Sequence, residues 1–205
     1  MNAGNPFATR HTRPGRLAAL DAAAAAVDAG RLLARLDRLV GRAAIVGPHG
    51  SGKSTLLVHL ADTLDQRGAA VVRIRLRSWR DAARLLKTVW AAPSGTTVCV
   101  DSWECAGPVM GGLVWLVAKR NGCRLLVTSH RRGGWPLLRR CRPTCAVLAA
   151  LVRQLPGHAE WYGRIIDAAD IRDAYRRQGG DIREALFDLY DRFEARRRRH
   201  GAVRL

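Results

Sequence analysis

The amino-acid sequence predicts an α/β protein, in which a parallel β-sheet is covered by helices on both faces and is followed by a few C-terminal helices. Between residues 41 and 152, short apolar runs alternate with segments of helical periodicity, which is typical of a three-layer αβα core. After about residue 153 only helical patterns follow. The chain has 205 residues, 48% of them hydrophobic, and can therefore bury a substantial core.

The first forty residues precede the predicted sheet. Residues 1–16 are polar, contain proline and glycine, and are expected to be disordered. Residues 17–40 are expected to form one or two helices, because leucines recur at helical spacing between positions 32 and 39. Gly41 is expected to end this helical segment.

Strands and helices are predicted to alternate within residues 41–152, which we expect to form one core domain. The predicted strands are 43–46, 70–76, 96–100 and 124–128, and the predicted helices are 53–67, 79–90 and 109–120. The apolar segment 146–151 is predicted as a fifth strand, with a helix as the alternative.

Residues 153–195 are predicted to form a small helical domain, with residues 196–205 as a basic tail. One helix is expected to end at Gly179-Gly180, where two glycines stop the pattern. The next is expected to begin at Asp181, whose side chain can cap it, and Glu184 stands where a capping box requires an acid.

The chain is strongly basic, with a formal net charge of +18. Such a charge usually indicates a nucleic acid or another polyanion as partner. Only three of the 35 basic residues are lysines, however, and alanine is abundant, as a GC-rich coding sequence would produce without selection for binding. Contact with nucleic acid therefore stays an open alternative.

Other features of the composition favour a cytoplasmic protein. No apolar run approaches the roughly 20 residues of a membrane span, and the first residues lack the apolar segment of a signal peptide. The five cysteines include no Cys-x-x-Cys pair, so neither a disulfide framework nor a zinc site is predicted.

Residues 47–55 carry the most specific signal. They fit the phosphate-loop pattern G-x-x-x-x-G-K-[ST], with a predicted strand before it and a helix after it. Glycines let backbone N–H groups converge on one anion, and the helix N-terminus adds partial positive charge. Lys53 is expected to reach the β- and γ-phosphates of ATP, and Ser54 to bind Mg²⁺. The predicted nucleotide-binding residues are Gly47, Pro48, His49, Gly50, Ser51, Gly52, Lys53, Ser54 and Thr55.

Residues 96–104, TTVCVDSWE, resemble the Walker B element of P-loop ATPases, a strand that ends in an acid. The resemblance implies that Asp101 holds Mg²⁺, and Glu104, three residues on, is the candidate catalytic base, a spacing seen in NACHT-type ATPases. The strand 124–128 runs into Thr128-Ser129, which resembles the sensor-1 position. Ser129 or Thr128 is therefore expected to contact the γ-phosphate or the attacking water.

The run GGDIREAL at residues 179–186 resembles the sensor-2 motif of AAA+ ATPases. With the two preceding motifs it makes residues 31–195 resemble the AAA+/STAND branch of P-loop ATPases. The resemblance implies a C-terminal helical lid and a switch driven by ATP binding and hydrolysis. No effector domain is evident in the sequence, so the output of the switch is expected to pass through a partner protein or nucleic acid. Arg183 matches the arginine that contacts the nucleotide, for which a planar guanidinium is well suited.

The same resemblance implies an arginine supplied in trans by a second subunit of a homo-oligomer, near the end of the helix before the last core strand. Residues 131–142 lie in that region, and Arg139, Arg140 and Arg142 are the candidates. A polyanion-binding patch and a solvated loop are the alternatives for this segment.

Two other functions are compatible with the sequence. A small P-loop kinase that phosphorylates a nucleoside or another metabolite would have a similar length, with residues 131–142 as a phosphate-clamping lid. A nucleotide-gated protein that binds nucleic acid would use the arginines of residues 131–142 and 196–199.

Overall fold

The computed structural model of the chain describes residues 4–202, and their side chains up to residue 199. Residues 1–3 of the predicted disordered segment and 203–205 of the predicted basic tail lie outside the described residues. The chain divides into two units. The sheet unit comprises Asp28–Gly47 and Leu56–Cys141, and the helical unit comprises Met1–Val27, Pro48–Thr55 and Arg142–Leu205.

Five parallel strands form the sheet, in the order β2-β3-β4-β1-β5. They are β1 (Arg42–Val46), β2 (Val71–Arg75), β3 (Thr97–Asp101), β4 (Arg124–Ser129) and β5 (Leu137–Arg140). The predicted α/β class with a parallel sheet is confirmed. Because all strands run the same way, the carboxyl ends of β1, β4 and β3 lie side by side at one edge.

The helices of the sheet unit are α2 (Ala29–Arg38), most of α3 (Lys53–Gln66), α4 (Trp79–Ala91) and α5 (Gly107–Arg120), with a short 3₁₀ turn at Trp103–Ala106. Helices α4 and α5 share one cluster with alternate strand residues such as Val98, Val100 and Val127. The intervening residues, such as Ile45 and Leu126, are equally buried on the opposite face. Apolar side chains on both faces are what a sheet covered by helices on both sides requires.

The helical unit contains α1 (Thr9–Thr12), α6 (Cys145–Arg153), α7 (His158–Trp161), α8 (Ala168–Arg177) and α9 (Ile182–Ala202). Phe7 lies in its core, with its ring centroid 5.2 Å from that of Trp161 and 6.0 Å from that of Phe193. The prediction of disorder is therefore wrong for residues 4–16, because a buried aromatic ring anchors this polar segment. Asn5 adds a hydrogen bond from Nδ2 to the Tyr190 carbonyl.

Residues 196–202 are part of α9 and do not form a separate tail. The Arg196 guanidinium donates to both carboxylate oxygens of Asp170, at 2.6 and 2.8 Å. Burial alone would raise the pKa of Asp170, but hydrogen bonds from Arg196 and Arg192 outweigh it and the pKa is lowered. This ion pair, between a buried carboxylate and a half-exposed guanidinium, helps to explain why an arginine-rich sequence continues as a packed helix.

Two segments take a different secondary structure from the one predicted. The helix expected in residues 17–40 covers only Ala29–Arg38, whereas Leu20 and Ala26 form an antiparallel bridge. Segment 146–151 belongs to helix α6, because the Thr144 side chain caps it by accepting from the Val147 N–H. The fifth strand is instead Leu137–Arg140, which pairs with β1.

Helix α2 ends in a Schellman motif, in which Gly41 N–H donates to the Leu36 carbonyl and Val40 N–H to the Asp37 carbonyl. The residue that adopts the left-handed conformation at C′ is Val40, with φ of 55°, followed by Gly41 at 68°. A β-branched residue is strained in this region, where glycine is preferred.

Replacing Val40 with glycine is expected to increase the free energy of unfolding by about 1 kcal/mol, because the left-handed conformation costs about that much for a residue with a Cβ. Val40 is 92% exposed, so the change removes little buried surface. Urea denaturation of the two proteins measures the difference. A Val40→Gly variant that is less stable than the parent would contradict the assignment of strain.

Candidate functional site

The predicted phosphate loop leaves the sheet directly after β1. Gly47 N–H donates to the Ser129 carbonyl at 3.3 Å, which continues the pairing of β1 with β4 by one residue. In the following segment the Pro48 carbonyl accepts two hydrogen bonds, from Lys53 Nζ at 2.6 Å and from Ser51 Oγ at 2.8 Å. These bonds close the loop on itself and hold the lysine ammonium over its backbone.

The loop has the backbone conformation that an anion cradle requires. Gly50 and Gly52 have φ of 63° and 82°, in the left-handed region that favours glycine. A Cβ on Gly52 would have no heavy atom within 4 Å, so that side of the loop is open. Helix α3 begins at Lys53, and its first turn contains no acidic residue. No side chain of that turn therefore neutralises the partial positive charge of the helix N-terminus.

The Asp181 carboxylate packs against the other glycine of the loop. Its Oδ1 overlaps the position that a Cβ on Gly50 would take. The same oxygen accepts from Arg183 N–H at 2.9 Å and Glu184 N–H at 3.2 Å, so Asp181 caps α9 as the sequence predicts. In a complete capping box, the Glu184 side chain would accept a hydrogen bond from the Asp181 N–H. Here the Asp181 N–H donates to the Gln178 carbonyl instead. One carboxylate therefore both starts α9 and touches the phosphate loop.

In the sheet unit, the acid predicted at the end of β3 is held in a fixed orientation. Asp101 Oδ1 accepts from Thr128 Oγ1 at 2.6 Å, and Oδ2 lies 3.6 Å from Arg75 Nε. Thr128 Oγ1 in turn accepts from the backbone N–H of Ser102, at 2.9 Å. A threonine hydroxyl can make both bonds, since it has one donor and two acceptor sites.

The other acid and the sensor-1 candidates occupy the same edge of the sheet unit. Glu104 Oε1 lies 3.1 Å from Nε2 of His130, and both side chains are partly exposed. Ser129 is buried at the end of β4, and its Oγ accepts from Arg131 N–H at 3.4 Å. Of the two sensor-1 candidates, it is therefore Thr128 whose hydroxyl bonds the Asp101 carboxylate.

The predicted arginines lie in different elements. Arg183 is exposed in the first turn of α9. Arg139 and Arg140 belong to strand β5, where they pair in register with Ile45 and Val46 of β1. The expectation that they lie near the end of a helix before the last core strand is therefore wrong, because the segment after Pro136 joins the sheet as its edge strand. Arg142, just after that strand, is exposed.

Sequence reasoning did not identify two partners of Asp101 and one of Gly50. The alternation of apolar and basic residues in strand β2 could have indicated Arg75, which pairs in register with Asp101. The polar end of strand β4 predicts a contact of Thr128 with phosphate or the attacking water, and not its bond to Asp101. The contact between Asp181 and Gly50 joins positions far apart in the sequence, and no local pattern signals it.

The residue types suit a magnesium nucleotide. Ser54 of the helical unit offers a hydroxyl, and Asp101 of the sheet unit offers a carboxylate. Each is an oxygen ligand of a kind that Mg²⁺ takes. Among residues 4–199, no three His, Cys, Asp or Glu side chains come together as a metal site of their own.

Neither the family models nor the curated proteins compared with this chain gave a match. Within the described part of the chain, no helix is both long and apolar enough to cross a membrane.

We expect Gly50→Ala to lower the free energy of unfolding by about 1 kcal/mol more than Gly52→Ala. Both changes place a Cβ on a left-handed residue, at about 1–2 kcal/mol each, but only the first also displaces the Asp181 carboxylate. Urea denaturation of the two variants gives the comparison. In an Asp181→Ser background, which keeps a capping oxygen, the two costs are expected to become equal. Equal costs in the parent sequence would show that the contact is not energetically significant.

Proposed function

We propose that the chain is an ATP-binding P-loop protein of the AAA+/STAND type, which uses ATP binding and hydrolysis as a conformational switch. The observation that carries the proposal is the glycine loop between β1 and α3, whose open side lies beside an acid-free helix N-terminus. ATP supplies the phosphoryl group when bound, and Mg²⁺ neutralises part of its charge. The remaining chemistry depends on side chains of this chain.

Lys53 would bind the β- and γ-phosphates as a point charge. Its present bond to the Pro48 carbonyl keeps the ammonium group at the loop, so little rearrangement is needed to transfer it to phosphate. Ser54 and Asp101 would hold the magnesium ion. The hydroxyl of Thr128 orients the Asp101 carboxylate before any ligand arrives, as preorganised sites require.

Glu104 would act as the base that takes a proton from the attacking water. Its contact with His130 is an obstacle, because an oxygen that already faces the imidazole must turn away from it before it can reach the attacking water. Release of Glu104 from His130 would therefore accompany activation. We therefore expect a slow basal rate of hydrolysis, as in a switch that waits for a partner protein.

The switch itself would act through the Asp181 carboxylate. It touches the phosphate loop at Gly50 and caps α9 at the same time, so a change in the loop alters the first turn of that helix. Arg183 is in that turn, and its exposed side chain would contact the terminal phosphate. Binding at the loop would thus be transmitted to the C-terminal helices by one short connection.

Lys53→Ala is expected to abolish ATP binding, because the ammonium is the main positive charge of the loop. Glu104→Gln is expected to retain binding and to slow hydrolysis by about 10²-fold or more, the usual contribution of a general base. Isothermal titration gives the binding, and phosphate release as a function of protein concentration gives the turnover.

Lys87→Ala, which removes an exposed lysine of α4, serves as the control for loss of charge. Unchanged turnover in Lys53→Ala would contradict the proposal. Phosphate transfer that strictly requires an added nucleoside acceptor would instead identify a kinase. A rate per chain that rises steeply with protein concentration would indicate a site completed by a second subunit.

A further inference from the structure

Helix α5 is apolar on the side that faces solvent as well as on the side that faces the sheet. Gly111, Val114 and Ala118 are buried against the sheet. On the outward side Val109, Leu113 and Leu116 are 73%, 43% and 56% exposed. A surface helix normally carries polar residues on its outer face, and a helix that is apolar all round is normally covered.

The neighbouring helix α4 extends this apolar surface. Trp79 and Trp90 are 66% and 69% exposed, and they lie on one side of α4 together with Ala83 and Leu86, at spacings of four, three and four residues. Helices α4 and α5 pack against each other and against the same core cluster, so they cover the same face of the sheet. Among the residues whose side chains are described, five of the eight large exposed apolar ones belong to these two helices.

The charges around this surface are almost all positive. Five basic residues on the two helices are exposed, namely Arg80, Arg84, Lys87, Lys119 and Arg120. The one acid on α4 and α5 is Asp81, whose carboxylate accepts from the backbone N–H groups of Arg77 and Ser78. The nearby Glu104 faces His130. A partner that covers the apolar stripe therefore meets a positive rim.

We propose that the outer surface of α4 and α5 binds an acidic amphipathic helix of a partner protein. The apolar residues of α5 at positions 109, 113 and 116 repeat at helical spacing and span about 10 Å, or two helical turns. A helix with apolar anchors at the same spacing would bury them, as in other helix-in-groove complexes. Its acids would pair with the basic residues of the rim.

Charge also argues against the most obvious other occupant, a second copy of this chain. A symmetric contact would bring the same five cations of each copy together, in a chain whose net charge is already +18. Like charges brought together at an interface cost several kcal/mol and suppress such a partner. This inference does not depend on nucleotide binding, since none of the residues of the phosphate loop takes part.

The test is binding of a fluorescein-labelled, end-capped peptide of about 18 residues, long enough to form a helix, with leucines along one face and glutamates on the other. Fluorescence anisotropy with the full chain gives the affinity, and a scrambled peptide of the same composition gives the background. We expect the amphipathic peptide to bind at least about tenfold more tightly than the scrambled one, with an affinity that falls as salt rises.

Matched variants locate the site. Leu113→Ser with Leu116→Ser is expected to weaken the peptide at least about tenfold, whereas Phe187→Ser, at a 40% exposed apolar position of α9, should leave it unchanged. Arg84→Glu should weaken it, whereas Arg31→Glu, an exposed arginine of α2, should not. All five substitutions, distributed over four variants, are at exposed positions, and thermal unfolding confirms that the variants fold.

Several results would overturn the inference. One is equal affinity for the two peptides, and another is peptide binding that survives the two leucine substitutions. If the chain binds phosphatidylglycerol vesicles but not the peptide, and the leucine substitutions abolish vesicle binding, the surface would be assigned to a membrane. If sedimentation experiments show that the chain self-associates, and the same substitutions abolish this self-association, the surface would be assigned to a second copy of the chain.

Discussion

The parallel pairing of β1 with β4, and of β4 with β3, is the constraint on which the rest of this structure depends. It requires helical crossovers and brings the carboxyl ends of three strands to one edge of the sheet. One of these ends leads into the glycine loop, one carries Thr128, and one carries Asp101. The hydrogen bond from Thr128 Oγ1 to Asp101 Oδ1 is a direct result, because neighbouring strands in register place these side chains together.

A second consequence concerns the loop itself. Segment Pro48–Thr55 belongs to the same unit as the C-terminal helices, and the Asp181 carboxylate lies on Gly50. A carboxylate beside a phosphate loop carries an electrostatic cost, since it repels the anion that the loop would bind. Two backbone N–H groups of α9 offset part of that cost. The arrangement suits a protein in which occupancy of the loop and the position of α9 are linked.

Much of this fold could be predicted because local patterns and tertiary structure agree. The strands β1 to β4 and the helices α3 to α5 follow from apolar runs, glycine stops and spacing. The segments where prediction failed are those where distant contacts decide. Phe7 holds a polar N-terminal segment in place by packing against Trp161 and Phe193. A hydrogen-bonded ion pair with Asp170 holds Arg196 within α9. Strand β5 contains two arginines, and only its pairing with β1 at the sheet edge makes it a strand.

The residues of the candidate site also fall into those that local patterns predict and those that distant contacts bring together. The glycine loop and Asp101 are identified by short patterns whose physical basis is local, whereas Thr128, Arg75 and Asp181 contribute through contacts that the sequence does not encode as a motif. The exposed apolar surface of α4 and α5 belongs to neither group, because it is defined by what does not cover it. Its residues are consistent with a buried helix by sequence, and only the structure shows that nothing in the described chain covers them.

The most direct test of the central claim is hydrogen exchange of the backbone amides of residues 49–55, followed by mass spectrometry, with and without Mg-ATP. If the loop holds the triphosphate, these amides will exchange more slowly with Mg-ATP but not with AMP, which lacks the β- and γ-phosphates. The amides of residues 182–185 will slow with them, because Asp181 connects the loop to α9. Exchange in the loop that is the same with and without saturating Mg-ATP would contradict the account.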